Sequence, residues 1–242
     1  MPEETFIIGC REQPQTLYDG NSGDLPPHKK KLYARLRDWK ILDVGCGTGA
    51  AGRFLQDKGN SVTGITASED EAELARKSMD RVHVLDLDAV REVDFEECAY
   101  DAILFGDVLE HLKYPHSVLV LSKSLLNEAG QIFVSLPNVA NVVIRFGLLF
   151  GDFRYEDSGI LDKTHLRFFT VRSARQLLTN AGFEIIEEQY SNWNWSILPV
   201  KWLRFMRLSR VEQWIRDAVT RWCPGLFATQ VMFVARPFRE WQ

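Results

Sequence analysis

The sequence predicts an α/β domain with seven strands in a mostly parallel sheet and helices on both faces. Three observations carry this. Short apolar runs of strand length alternate with segments whose apolar residues recur at helical spacing, the order that builds a parallel sheet. The run Ile41 to Gly52, I-L-D-V-G-C-G-T-G-A-A-G, passes from strand through a glycine turn into a helix. A chain of 242 residues with 45% hydrophobic and 26% charged content can bury one large core.

Residues 1–27 carry Pro14, Gly20, Gly23, Pro26 and Pro27 among polar residues, and read as a loose arm or lid before a main domain at 28–242. Lys29–Trp39 has Leu32, Leu36 and Trp39 at helical spacing, and His28-Lys29-Lys30-Lys31 reads as a solvated helix start. The first strand is about Lys40–Val44. A helix over Ala50–Lys58, with Phe54 and Leu55 toward the sheet, closes at Gly59-Asn60. Ser61–Ile65 is the second strand, and Ser68 caps the next helix with Glu71 as its capping-box partner. Val82–Leu85 and Tyr100–Phe105 are strands three and four. Pro115–Leu126 is an amphipathic helix and Gly130–Leu136 the fifth strand. Val171–Ala181 is a helix ended by Gly182, and Phe183–Gln189 and Gln230–Ala235 are the last two strands. Two helical insertions interrupt this plan, at 138–170 after the fifth strand and 191–228 between the last two.

Bulk properties exclude several functions. A net charge of −4 gives no general attraction to nucleic acid. Cys10, Cys46, Cys98 and Cys223 show no CxxC spacing, so neither a disulfide framework nor a metal site is expected, and a reducing cytoplasm fits. No run reaches the roughly 20 apolar residues of a membrane-crossing helix.

The glycine turn is a nucleotide-type cradle. A P-loop needs a lysine, and none lies between Lys40 and Lys58. Gly47, Gly49 and Gly52 satisfy the dinucleotide pattern G-x-G-x-x-G, but a carboxylate at Asp43 would repel a pyrophosphate. A cationic cofactor without phosphate suits Asp43, and S-adenosylmethionine is such a cofactor. An incidental glycine-bearing turn is the bland alternative.

Asp43-Val44-Gly45-Cys46-Gly47-Thr48-Gly49 resembles motif I of the class I S-adenosylmethionine-dependent methyltransferases. Asp107-Val108-Leu109-Glu110-His111-Leu112 resembles the segment after their fourth strand. The resemblance covers residues 30–190 and the last strand, and is closest to the subgroup of ubiquinone-type O-methyltransferases and bacterial sugar and natural-product methyltransferases. It implies a Rossmann-like sheet whose last strand inserts antiparallel between strands five and six. It also implies the cofactor S-adenosylmethionine and the product S-adenosylhomocysteine. By the same resemblance Gly45, Cys46, Gly47 and Gly49 line the methionine part and Asp43 orients its ammonium group. Thr66 and Ala67 border the ribose, where many members carry Asp or Glu, and Glu69 is an alternative. Asp86 accepts the adenine amine, Leu87 offers backbone and apolar contact, Asp88 is a solvated neighbour, and Asp107 closes the cofactor side. Cys46 packs rather than reacts.

A methyl acceptor that is a hydroxyl must lose a proton, and histidine is the natural base. His28 and His116 flank helix starts, and His83 packs within a strand. His111 lies at the cofactor side of strand four. His165 lies in Gly159-Ile160-Leu161-Asp162-Lys163-Thr164-His165-Leu166-Arg167-Phe168-Phe169, which resembles acceptor-side segments of the subgroup. His165 is the candidate base, with Asp162 or Asp107 orienting it or the substrate. Arg167 binds an anionic acceptor or pins the loop to a carboxylate. The competing reading makes His165 a loop anchor. The strand-four end lacks the D/N-P-P-Y/F of adenine and glutamine methyltransferases, so the expected partner is a small-molecule acceptor and not nucleic acid.

Residues 193–222 hold Trp193, Trp195, Trp202, Trp214 and Trp222 with Lys201, Arg204, Arg207, Arg210, Arg216 and Arg221. The favoured reading is a helical cap, with a dimer contact open. Membrane-surface contact is the alternative. The function expected is methyl transfer to the hydroxyl of a sugar, glycan precursor or natural product. N-methylation, a cofactor-binding protein without turnover, and an NAD-dependent oxidoreductase are the rivals.

Overall fold

A computed structural model describes residues 24–90, 100–192 and 209–238. Helix α1 (Pro27–Tyr33) precedes strand β1 (Lys40–Val44). Then come α2 (Ala50–Gln56), β2 (Ser61–Thr66), α3 (Glu69–Ala75), β3 (Arg81–Val84) and β4 (Tyr100–Gly106). After a short 3₁₀ turn (Leu109–His111) follow α4 (Pro115–Ser122), β5 (Leu126–Pro137), α5 (Val142–Leu149), α6 (Val171–Asn180) and β6 (Phe183–Ser191). The chain ends with α7 (Ser209–Trp222), α8 (Pro224–Phe227) and β7 (Gln230–Pro237).

The sheet has seven strands in the order β3-β2-β1-β4-β5-β7-β6. Strands β1 to β5 pair in parallel, whereas β7 runs antiparallel between β5 and β6, as expected. Central strands covered on both faces must be apolar along their whole length. In β4, Ala102, Ile103, Leu104 and Phe105 are all fully buried. Two apolar clusters sandwich the sheet, one around Phe105, Leu109, Val134 and Phe233, the other around Tyr33, Leu36, Leu104 and Phe133.

Several expectations need correction. The first helix ends at Tyr33, six residues short of Trp39, although Leu36 is still buried in the core. The basic run is not all solvated: Lys29 is only 4% exposed. The helix placed at Pro115–Leu126 stops at Ser122 and passes through a 3₁₀ turn, so β5 starts four residues before Gly130. Ser68 accepts from the Glu71 N–H (3.4 Å) as the capping reading requires, but Glu71 does not complete the box. Its carboxylate accepts from the Thr66 hydroxyl (2.6 Å) instead.

The insertion at 138–170 contains α5 and is seated by two buried asparagines. Asn138 and Asn141 each donate through Nδ2 to the Ala228 carbonyl (2.8 and 3.1 Å), and Asn141 Oδ1 accepts from Val143 N (3.0 Å) to cap α5. No residue of α5 is buried, and Phe146, Leu149 and Phe150 are exposed. Among the described residues the first insertion therefore carries a run of exposed apolar side chains that the sequence reading does not place there. In the tryptophan-rich second insertion, α7 packs against β6 and α8, with Trp214 and Trp222 exposed. Trp193, Trp195, Trp202, Lys201, Arg204 and Arg207 lie outside the described residues, as does the arm up to residue 23. Among the described residues no helix is long and apolar enough to cross a membrane.

Candidate active site

In an open α/β sheet ligands lie at the carboxyl ends of the strands where the order reverses, here between β1 and β4. The turn after β1 is tied down by the amides of Gly45 and Cys46, both donating to the Ile65 carbonyl (2.8 and 2.9 Å). Gly45 has φ +74°, and a Cβ there would stand 2.6 Å from Val108 Cγ2, so a side chain is excluded twice over. Gly47 differs. Its φ is +51°, and a Cβ would meet nothing within 4 Å. The space above Gly47 is open for a ligand to lie against bare backbone. Cys46 is buried, burial pushes its thiol up, and it is no thiolate, as its packing role requires.

Asp43 is 5% exposed, and its Oδ2 has no hydrogen-bond partner among the described residues. Burial pushes its carboxyl up to about 6, against the pull of the Lys29 ammonium. An orphaned buried carboxylate beside a bare glycine turn fits a cofactor that is cationic at this point. It does not fit a pyrophosphate.

Around this cradle, Thr66 is buried at the end of β2 with its hydroxyl committed to Glu71. Glu71 thus brings to the β2 end the carboxylate that the sequence lacks at Thr66. Linear reading missed it because Glu71 lies one helical turn into α3, and the Ser68–Glu71 spacing suggested only a cap. Glu69, the alternative, pairs with Arg76 at the surface (2.7 Å). Ala67 and Asp86 are exposed at the ends of β2 and β3, and Leu87 packs against the core. Asp86 Oδ1 accepts from Asp88 N (3.0 Å). Asp88 is not merely solvated: its carboxylate accepts from Lys113 N (2.8 Å) and anchors the loop after β4.

Asp107 takes φ +62°, uncommon for a residue with a side chain. Three donors hold it there: Lys29 Nζ at 2.8 Å, Ser135 Oγ at 2.6 Å, and Gln230 Nε2. Burial raises this carboxyl, but the Lys29 ammonium with its hydrogen bond, and then Ser135, outweigh it and hold the group below the ordinary carboxylate value. Removing Lys29 leaves the half-buried Asp107 carboxylate without its counter-charge, held only by Ser135 and Gln230. Lys29→Met is expected to lower unfolding free energy by about 3 kcal/mol, read by urea denaturation. A change within about 0.5 kcal/mol would show the pair to be a surface-like contact.

The insertion loop is brought over this edge by backbone. The amides of Leu166 and Arg167 both donate to the Glu110 carbonyl at 2.9 Å, and Arg167 Nη2 donates to the Lys113 carbonyl (2.7 Å). Arg167 therefore pins the loop, though to a carbonyl and not to a carboxylate. The result sets the His165 ring 4.8 Å from that of His111, edge to face. His165 Nδ1 faces the Ile160 carbonyl (3.1 Å) and His111 Nδ1 the Thr164 carbonyl (3.2 Å). A carbonyl only accepts, so each Nδ1 carries the proton and each Nε2 keeps a lone pair. Burial, and then His165, hold His111 below the ordinary imidazole value.

Among the described residues neither Asp162 nor Asp107 bonds to His165, so of the two expected tasks, orienting that ring or orienting the substrate, the first is not what their contacts serve. Asp162 Oδ1 accepts from Thr164 N (2.7 Å) and Thr164 Oγ1 (2.6 Å). That hydroxyl lies 3.2 Å from His111 Nδ1, so Asp162 supports His111 and not His165. Glu110, which belongs to the motif at residues 107–112 but takes no role from the sequence, lies beside both rings. It is 1% exposed, and neither carboxylate oxygen has a hydrogen-bond partner among the described residues. Burial, reinforced by Asp107, pushes its carboxyl well above the ordinary value.

Residues 18–188 match a family model described as a methyltransferase domain. The chain belongs to the class I S-adenosylmethionine-dependent methyltransferase family. The methyltransferase domain is similar to the ubiquinone biosynthesis O-methyltransferase of Glaesserella parasuis, 34% identical over 41% of this chain and 45% of that protein. The chain thus matches a little under half the length of that curated relative. Its fold is shared with an S-adenosylmethionine-dependent methyltransferase of Archaeoglobus fulgidus (TM-score 0.56, 16% identity, 86% of this chain and 92% of that one). It is shared also with the 1,6-didemethyltoxoflavin-N1-methyltransferase of Burkholderia thailandensis, bound to S-adenosylhomocysteine (TM-score 0.54, 18% identity, 88% and 77% covered). The cofactor of the family, S-adenosylmethionine, is the cationic, phosphate-free ligand that Asp43 and the glycine turn fit.

Proposed function

We propose that this methyltransferase domain transfers a methyl group to a hydroxyl of a small molecule, a sugar, glycan precursor or natural product, and that His165 is the residue through which the hydroxyl is activated. S-adenosylmethionine, when bound, supplies a methyl group already activated on sulfonium. The protein's work is to align an oxygen about 3 Å from it and to help that oxygen lose its proton. Asp43 would hold the ammonium group, Gly45, Gly47 and Gly49 the methionine backbone, Glu71 with Thr66 the ribose, and Asp86 and Leu87 the adenine.

The observation that carries the reading is the state of His165. Its Nδ1 is spent on the Ile160 carbonyl, which fixes the ring and leaves Nε2 with a lone pair beside the carboxyl end of β4. An amine acceptor attacks once neutral, and a base matters less to it. A binding protein without turnover needs it still less. The test has two stages. Calorimetry should find binding of S-adenosylhomocysteine and none of NAD. Labelled methyl transfer across paired hydroxyl and amine acceptors should then place label on oxygen. Label on amines alone, or on nothing, overturns the reading.

A further inference from the structure

Helix α5 is apolar on nearly every side, and none of its residues is buried. Its sequence V-V-I-R-F-G-L-L carries Arg145 as its one charged residue. A helix apolar all round belongs in a core or a contact, because water around it is unfavourable on every face. Phe146, Leu149 and Phe150 are 61, 74 and 74% exposed, with Val143 and Tyr155 more than half exposed and Phe153 more than a third. These six side chains present on the order of 800 Å² of surface, beyond what a monomer commonly shows and one partner's share of a standard protein interface. Among them runs a groove lined by Val142, Val143, Phe146, Gly147, Phe150 and Asp152. Leu149, three residues on from Phe146, stands at its rim. The surface is held in place from both ends. Asn138 and Asn141 fasten the start of α5 to the Ala228 carbonyl, and the Asp152 amide folds the chain back onto the Gly147 carbonyl (2.8 Å). The Phe146 and Phe150 rings brace each other at 5.4 Å. A partner would dock on it at little ordering cost.

Charge decides the kind of partner. Over residues 138–170 four Lys or Arg are matched by four Asp or Glu, a net charge of zero. Two pairs close within the loop, Arg154 on Asp152 and Lys163 on Asp157, each at 2.8 Å. An anionic membrane draws on a surplus of cations, and this insertion has none. A neutral, aromatic-rich face of this area fits another protein surface, and it is complementary to itself. Arg145 precedes the stripe of Phe146, Leu149 and Phe150, and Asp152, half exposed beside Arg154, follows it. A two-fold axis through the middle of the stripe sets each of these charges against the opposite one. We propose that α5 and the turn after it form an isologous dimer interface. Helix α5 of one copy lies antiparallel on α5 of a second, the apolar stripe of each seated in the groove of the other, with Arg145 of each facing Asp152 of the other. The interface stands apart from the question of which acceptor is methylated.

The test is sedimentation velocity on the full chain from low to high micromolar concentration, where a dimer is expected. Phe146→Asp and Leu149→Asp should each weaken it by at least about thirtyfold, the effect of losing a hot-spot side chain. Both side chains face solvent in the single chain, so both variants should keep S-adenosylhomocysteine binding and the native thermal midpoint. Arg145→Asp should weaken the dimer, and adding Asp152→Arg to the same chain should restore it, because a two-fold antiparallel contact pairs these two positions. A chain that stays monomeric throughout overturns the interface, as does a dimer that Phe146→Asp leaves intact. Two further results overturn it by assigning the surface elsewhere. One is a monomer that pellets with phosphatidylglycerol vesicles and loses that property in Phe146→Asp. The other is a monomer that dimerises only when residues 1–23 are deleted.

Discussion

His165→Ala is expected to lower kcat for transfer to a hydroxyl by roughly 10²–10⁴-fold, the range that assistance to proton removal supplies. S-adenosylhomocysteine affinity should stay within about twofold, because among the described residues the partners of the ring are Ile160, His111 and Phe168, and not Asp43 or the glycine turn. The measurement is single-turnover methyl transfer beside calorimetry on the same preparation. A loop-anchoring role predicts a different pattern. His165 would then matter for stability, and its loss would loosen Ile160 and the turn around it, lowering the thermal midpoint while leaving kcat within a few-fold. His165→Asn separates the two further, since an amide can still donate to the Ile160 carbonyl but offers no imidazole lone pair. If the anchor is all that matters, the asparagine restores turnover. If Nε2 matters, it does not.

The second large effect is at Asp43. Replacing it by Asn should weaken S-adenosylhomocysteine binding by roughly 10- to 150-fold at pH 7.5, the value of a hydrogen bond to a buried charge. The native site should also bind in a pH-dependent way. In the free protein Asp43 titrates at about 6 because burial disfavours its charge. An ammonium group placed against it favours the carboxylate, so binding must drive off any proton present. Affinity is therefore full above pH 6 and falls as pH drops through it, by about tenfold between pH 7.5 and 5. Folding of the free chain responds with the opposite sign. The raised acid contributes to stability below its ordinary value of 3.8, and the contribution is lost as pH rises through about 6. S-adenosylhomocysteine should accordingly raise the thermal midpoint more at pH 7.5 than at pH 5, and Asp43→Asn should remove that difference. Affinity flat across this range in the native chain would show that Asp43 faces no cation.

The elements easiest to read in the sequence were those whose cause is local. β1 is confined to Lys40–Val44 by its apolar run and by the glycines that follow, and α6 is bounded by Thr170 and Gly182, whose capping and left-handed conformations are properties of those residues. Boundaries slipped where tertiary contacts override local pattern. Leu36 has helical spacing from Leu32, yet α1 ends at Tyr33 because Leu36 reaches the core from the turn. β5 starts early because Leu126 finds a partner in Tyr100, a contact far away in sequence.

The same division runs through the site. Residue order alone determined the cofactor cradle, because a turn needing bare backbone and a carboxylate at a strand end are adjacent in the chain and act through short-range geometry and charge. It determined the sheet and the place of its antiparallel strand as well, through alternation and family likeness. Only the folded molecule decided which side chains answer one another across it. Lys29 reads as solvated and is buried on Asp107, Glu71 reads as a cap and serves Thr66, and Glu110 reads as one member of a motif without a role and meets His111 and His165. Such pairings depend on how a loop is laid over a sheet edge, and a hydrogen bond from Leu166 to Glu110 spans far more chain than any local pattern can encode.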